Sequence, residues 1–229
     1  MKKAFTKSLA AALILVTSSL PLHNLSAQAA ASAATEAQTA TLSQGMSGNA
    51  IGTLQSRLKA LGYFTYPNIT SYFGTITAQA VRSFQQAYSL PVTGTANAAT
   101  QEALSRAVVK QQIVKDANNY LRVPYVWGGT TPSGFDCSGF IYFMFQKFGL
   151  SFERTSSEQM AGMGTAVSRA NLQPGDWVFF GLNEPGVVSH VGMYTGNGEF
   201  ISATRSMGVY IQKLDNSYWG PKYLGARRY

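Results

Sequence analysis

The sequence predicts an α+β protein in two folded pieces: a small three-helix bundle, then a domain whose N-terminal helices pack on an antiparallel sheet. Three observations point there. Between 42 and 108 the apolar residues recur at helical spacings of three and four. Beyond about 112, one helical stretch gives way to short apolar strands separated by Gly-rich turns. The chain of 229 residues holds a single cysteine, so no internal disulfide can stabilise either piece and each must bury its own core.

The first 29 residues read as an export signal. Lys2, Lys3 and Lys7 supply the positive end, and Leu9 to Val16 form an apolar run that Pro21 follows. Ala27-Gln28-Ala29 gives the small-x-small cleavage pattern. The run falls short of the roughly 18 apolar residues a membrane span needs, so cleavage after Ala29 and no stable membrane anchor are expected. Residues 30–41 are Ala, Ser, Thr and Gln with one Glu, a lead-in with too little apolar content to fold.

Of 18 basic and 10 acidic residues, three basic ones leave with the signal, so the net charge falls from +8 to +5. No dense Lys/Arg run remains, which argues against a nucleic-acid groove. Scattered positive charge on an exported chain suits an anionic surface such as a wall polymer.

Residues 42–108 form the expected bundle. Ser47 is placed to cap a first helix carrying Ile51, Leu54, Leu58 and Leu61, with Gly62 as its stop. Thr75 is placed to cap a second, with Ile76, Ala80, Phe84 and Ala87 inward. Asn97 or Thr95 caps a third, with Ala99, Ala103, Leu104 and Ala107 inward. This piece contains no Cys or His, and its only acidic residue is Glu102, so carboxylate-pair chemistry within it is excluded. A binding module is the natural reading.

Residues 109–112 join it to a helix bearing Ile113, Ala117, Tyr120 and Leu121, with no Gly/Ser tether, so little relative motion is expected. In the second piece, 112–229, Asp136 precedes Cys137, Ile141, Met144, Phe145 and Phe148 at helical spacing. Cys137 therefore sits in the first turn of an apolar helix, where the N-terminal dipole favours a thiolate of lowered pKa. Strands follow at 176–180, 190–194, 199–203, 209–211 and 223–226, with Thr195-Gly196-Asn197-Gly198 as a hairpin turn. With His23 in the signal, His190 is the one histidine left, and it starts a strand. A lone thiol and a lone imidazole make a nucleophile–base pair. A hairpin centred on Gly196 sets Ser202 opposite His190, able to fix the imidazole tautomer; one centred between Asn197 and Gly198 sets Arg205 there, which cannot accept a hydrogen bond. Ser202 is the preferred partner. One Cys with one His does not make a zinc site, so no metal or cofactor is expected.

Two resemblances follow from these motifs. Gly45-Met46-Ser47-Gly48, Leu54-Gln55-Ser56-Arg57-Leu58, Leu61-Gly62-Tyr63, Tyr72-Phe73-Gly74, Phe84-Gln85 and Leu90-Pro91-Val92-Thr93-Gly94 resemble the peptidoglycan-binding module of bacterial wall hydrolases. The resemblance implies glycan or stem-peptide binding without naming contacts; Tyr63, Tyr66, Tyr72 and Arg82 are candidates because aromatic faces and cations suit sugars and carboxylates. Pro124-Tyr125-Val126-Trp127-Gly128-Gly129, Phe135-Asp136-Cys137-Ser138-Gly139-Phe140, Arg154-Thr155-Ser156, Gln173-Pro174-Gly175-Asp176 and His190-Val191-Gly192-Met193-Tyr194 resemble the NlpC-type, papain-like cysteine peptidases of cell walls.

That second resemblance implies a papain-like catalytic domain with Cys137 as nucleophile and His190 as base. The family commonly has a second His on the next strand, where this chain has Ser202. It further implies Tyr125 on the oxyanion side and substrate contacts from Trp127, Asp136, Ser138 and Arg154. The implied activity is that of a secreted, wall-associated endopeptidase on peptidoglycan stem peptides, at the γ-D-glutamyl to diamino acid bond. An inactive wall-binding protein, or an amidase or transferase at another amide of the polymer, are the alternatives.

Overall fold

Glycine starts and glutamine clamps build the bundle. In the computed structural model, which describes residues 40–229, helix α1 spans Asn49–Ala60, α2 Thr75–Ala87 and α3 Ala98–Ala117. The expected export signal and nearly all of the lead-in lie outside the described residues.

Ser47 and Thr75 are not N-caps. Gly48, at φ +123°, and Gly74 take those positions without side-chain caps, and Thr75 is the first residue of its helix. The Gly48 N–H donates to the Ser71 carbonyl at 2.9 Å and Ser47 bridges to Tyr72, so the 71–73 loop, rather than a capping hydroxyl, holds the chain entering α1. Asn97 does cap α3, its side chain accepting from the Thr100 N–H at 2.9 Å.

The inward face of α2 is also rotated from the expected one. Thr77, Ala78, Ala80, Val81, Phe84 and Gln85 are buried, while Ile76 is 46% exposed. The reason is a buried glutamine on the facing helix. Gln55 donates to the Thr77 hydroxyl at 2.9 Å and to the Tyr72 carbonyl at 2.9 Å, and accepts from the Thr70 and Ser71 N–H groups, each at 3.0 Å. Gln85 repeats the device one helix later. It donates to the Thr95 carbonyl at 2.8 Å and the Thr100 hydroxyl at 3.1 Å, and accepts from the Thr93 and Gly94 N–H groups at 3.0 and 2.9 Å. Each buried amide is satisfied, and each ties the following loop to its helix.

Helix α3 runs without a break through residues 109–112. Leu104 and Ala107 enter the bundle core, and Ile113 and Ala117 enter the core of the second piece, so one rod is shared by both. Residues Ala40–Tyr229 cluster as one unit.

Beyond α3 come a two-stranded ribbon, β1 (Thr130–Thr131) and β2 (Gly134–Phe135), then α4 (Cys137–Lys147) and the short α5 (Ser157–Met160). A six-stranded antiparallel sheet follows, made of β3 (Thr165–Val167), β4 (Trp177–Phe180), β5 (His190–Gly196), β6 (Glu199–Thr204), β7 (Gly208–Lys213) and β8 (Tyr223–Arg228), in the order β3-β8-β4-β5-β6-β7. Strand alternation divides two cores. Trp177, Phe179, Val191, Met193 and Ile201 pack against Phe140, Ile141, Met144 and Phe145 of α4, while Val178, Phe180, Phe200, Leu214 and Trp219 form the other face.

A buried ion cluster joins bundle and sheet. Arg228 on β8 donates to both Asp176 oxygens at 2.9 and 2.7 Å, and Lys110 of α3 lies 3.7 Å from the same carboxylate. Arg228 also stands 4.5 Å over the Tyr88 ring and donates to the Ala87 carbonyl at 3.4 Å.

Candidate active site

Asp136 sets the start of α4 and therefore the position of Cys137. Its Oδ1 accepts from the Gly139 N–H at 2.6 Å, and its Oδ2 accepts from the Gly128 N–H at 2.9 Å. Arg154 donates to both oxygens at 2.8 and 2.7 Å and to the Ser138 hydroxyl at 2.9 Å, and that hydroxyl donates to Asp136 at 3.1 Å. One network thus joins the helix start, the 124–129 loop and the 154–156 segment. Of the five residues expected to contact substrate, Asp136, Ser138 and Arg154 are hydrogen-bonded to one another. Tyr125 is half-buried, and Trp127 is 78% exposed.

The loop carrying Tyr125 lies along the nucleophile's own segment. Tyr125 bridges Phe135, the Val126 N–H donates to the Phe135 carbonyl at 3.0 Å, and the Phe135 N–H donates to the Pro124 carbonyl at 3.1 Å. Gly139 makes the approach possible: a Cβ there would lie 2.0 Å from the Gly129 carbonyl oxygen. Burial, and then the neighbouring Cys137, push the Tyr125 phenol above its ordinary pKa, so its hydroxyl stays a donor.

Cys137 is 8% exposed and packs in one core with Val191 of β5. The start of α4 therefore meets β5 at the residue next to His190. The helix-terminus expectation of a lowered thiol pKa is corrected here. Burial pushes the Cys137 thiol up, and the Asp136 carboxylate adds to the rise, against the lowering by nearby backbone N–H groups. His190, 5% exposed, lies 5.1 Å from the Trp219 ring and 6.1 Å from Phe180, and this burial lowers its pKa to about 4. At neutral pH Cys137 is therefore a thiol and His190 a neutral imidazole.

His190 Nε2 lies 3.0 Å from the Ser202 hydroxyl. The hairpin reaches this by neither register weighed from the sequence. Met193 pairs with Ile201 and Tyr194 with Phe200, with a bulge between Tyr194 and Gly196. That pairing centres on Asn197, so Thr204, carried back along the strands, stands opposite His190 and Ser202 is its diagonal neighbour on the same face.

In the bundle, Tyr66 and Tyr72 line one cavity of about 210 Å³ with Phe64, Thr70, Thr75 and Ile76. Tyr63 is turned away from it, edge-on to Phe84 at 5.5 Å and donating to Gln173 at 3.3 Å. Arg82 packs its guanidinium against Gly94. Sequence reasoning missed Trp219, which walls His190 from 29 residues downstream with no local signal.

The NlpC/P60 family model matches residues 122–228, and the model described as "Putative peptidoglycan binding domain" matches residues 47–104. The Gamma-DL-glutamyl hydrolase of Bacillus subtilis strain 168 is 41% identical over 138 residues, 59% of this chain and 33% of that protein. The Probable peptidoglycan endopeptidase LytE of the same organism is 49% identical over 119 residues, 52% of this chain and 34% of that protein. The chain thus spans about a third of the length of these two relatives. A crystal structure of an NlpC/P60 family protein from Bacillus cereus ATCC 10987 matches at 35% identity and a TM-score of 0.50, over 52% of this chain and 40% of that one. Residues 122–228 form a domain of the NlpC/P60 family, with a papain-like α+β fold, and a domain of the peptidoglycan-binding family lies ahead of it.

Proposed function

We propose that this chain is a secreted, wall-associated cysteine endopeptidase that cuts the stem peptides of peptidoglycan. The observation that carries this reading is a buried thiol at a helix N-terminus, packed against the strand whose imidazole is already hydrogen-bonded through Nε2. With Nε2–H donating to Ser202, Nδ1 keeps its lone pair and is the nitrogen available as base.

The Cys137 sulfur bonds to the scissile carbonyl carbon as its proton passes to His190 Nδ1. The C–N bond then breaks, and the same proton goes to the leaving amine. Water, deprotonated by His190, attacks the thioester and frees the sulfur. The protonated Tyr125 hydroxyl is a donor for the oxyanion. Asp136, Ser138 and Arg154 are assigned to positioning the nucleophile, because their polar atoms are engaged with one another.

The bond we favour joins γ-D-glutamate to the diamino acid, with support from the 41% identity to a protein named a Gamma-DL-glutamyl hydrolase. Mass spectrometry of purified wall digested by the chain tests it: new N-termini on the diamino acid support this bond. Termini at any other amide overturn the assignment.

The bundle holds the enzyme on the wall through the Tyr66–Tyr72 cavity. No charged side chain lines it, so a neutral sugar ring stacking on tyrosine suits it better than an anionic peptide. Gln55, bonded to Thr70 and Tyr72, fixes its rim. In a Cys137→Ala background, Tyr66→Ala with Tyr72→Ala is expected to weaken sedimentation with peptide-free glycan; unchanged sedimentation would move the site elsewhere.

A further inference from the structure

A second cation stands near the nucleophile, and nothing in the proposed mechanism uses it. Arg205 lies in the turn between β6 and β7, its guanidinium carbon 5.8 Å from the Tyr125 ring centroid and 5.9 Å from that of Trp127. Its position is fixed from both sides. The Arg122 N–H donates to the Val209 carbonyl at 2.8 Å, and the Val209 N–H donates to the Val123 carbonyl at 2.9 Å, so the start of β7 is paired to the loop that carries Tyr125 and Trp127. Gly208, at φ +66°, permits that contact, since a Cβ there would lie 2.2 Å from the Val123 carbonyl oxygen. The Thr204 hydroxyl donates to the Gly208 carbonyl at 3.2 Å and accepts from the Met207 N–H at 3.3 Å, closing the turn around Arg205. The same loop pairs on its other side with Phe135, two residues before Cys137.

The two cations near the nucleophile differ in kind. Arg154 is neutralised by the Asp136 carboxylate. Among the described residues, no carboxylate lies within ion-pair distance of Arg205, and it is exposed to solvent. Resting against two aromatic rings steadies its planar group, and the N–H groups not turned to the Tyr125 hydroxyl are left for a two-pronged bond to a carboxylate.

We infer that Arg205, steadied by Tyr125 and Trp127, is a specificity residue that reads a free carboxylate of the substrate beside the scissile amide. This rests on the stem-peptide reading above. A γ-linked glutamyl residue keeps its α-carboxylate, and the diamino acid can carry one on its side chain; both present the same chemistry, and the test separates them.

The full chain, as wild type, Arg205→Gln and Arg205→Lys, is assayed on two matched pairs of stem peptides. One pair differs only in amidation of the glutamyl carboxylate, the other only in amidation of the diamino acid side-chain carboxylate. Within each protein the ratio of kcat/KM, acid over amide, is read, so any loss of folded protein cancels. The wild type is expected to prefer the acid of one pair by about tenfold or more, the worth of a charge-assisted bond. Arg205→Gln is expected to bring that ratio close to one, and Arg205→Lys to keep part of it. The pair that responds names the carboxylate. Cleavage by the wild type without preference, or a preference that survives Arg205→Gln, overturns the inference while leaving the peptidase reading intact. A wild type that cleaves none of the four peptides overturns both.

Discussion

His190 and Ser202 stand twelve residues apart in the chain and 3.0 Å apart across the sheet, imidazole Nε2 to hydroxyl oxygen. Ser202 is fully buried, so its hydroxyl faces the imidazole and not solvent. Ser202→Ala is expected to lower kcat about five- to tenfold, the worth of one neutral hydrogen bond, and to leave KM unchanged. Steady-state kinetics on a soluble stem peptide checks the split; a rise in KM with kcat intact would assign Ser202 to substrate binding.

Both protonation equilibria of the pair are shifted by burial, and both shifts are visible in pH dependence. The acid limb of kcat/KM follows His190 in the free enzyme and is expected near pH 4 rather than 6.5, with the alkaline limb above the usual thiol range. Stability follows the same proton. Below pH 6.5 the unfolded chain protonates its histidine while the folded chain does not until about pH 4. The unfolded state therefore binds more protons in that window, and stability falls as pH falls. The fall amounts to about 3 kcal/mol, followed by urea denaturation across pH 4 to 7. An acid limb at pH 6.5 would place the imidazole in water.

Gly139 sits where α4 presses against the backbone of the 124–129 loop. Gly139→Ala puts a methyl 2.0 Å from the Gly129 carbonyl oxygen, and neither backbone can yield without moving Cys137 away from Tyr125. The expected loss is about 1–3 kcal/mol of stability from overpacking and about a hundredfold in kcat/KM from misplacement. Thermal melting and kinetics on the same sample check both; full activity would show the loop to be free to move.

Asp176 carries two cations in a buried place. Asp176→Ala strands Arg228 and Lys110, whose pKa burial already lowers to about 8. The expected destabilisation is about 3–5 kcal/mol by chemical denaturation. Because Arg228 also touches Ala87 and Tyr88, protease cleavage is expected to reach the bundle as well.

Much of this molecule was legible in its sequence, for reasons that hold locally. Asp136 followed by apolar residues at helical spacing marked the start of α4, because the cap and the buried face are both written within one segment. Ser202 was found as the partner of His190, but by the wrong register. Gly196, Asn197 and Gly198 all adopt positive φ, and the bulge they permit moves the pairing centre to Asn197. The inward face of α2 was misjudged because Gln55, which adds nothing to the apolar periodicity, is buried and holds Thr77 inside. The thiol's raised pKa was missed because a helix terminus is visible in sequence, whereas the sheet that buries it is not.

The most direct measurement is turnover of a soluble stem peptide by Cys137→Ala, beside wild-type chain alkylated at its one thiol. Both are expected to lose about 10⁴-fold or more in kcat while still binding the wall polymer. Release of the same fragments at the wild-type rate by either protein would contradict a Cys137 nucleophile and the mechanism built on it.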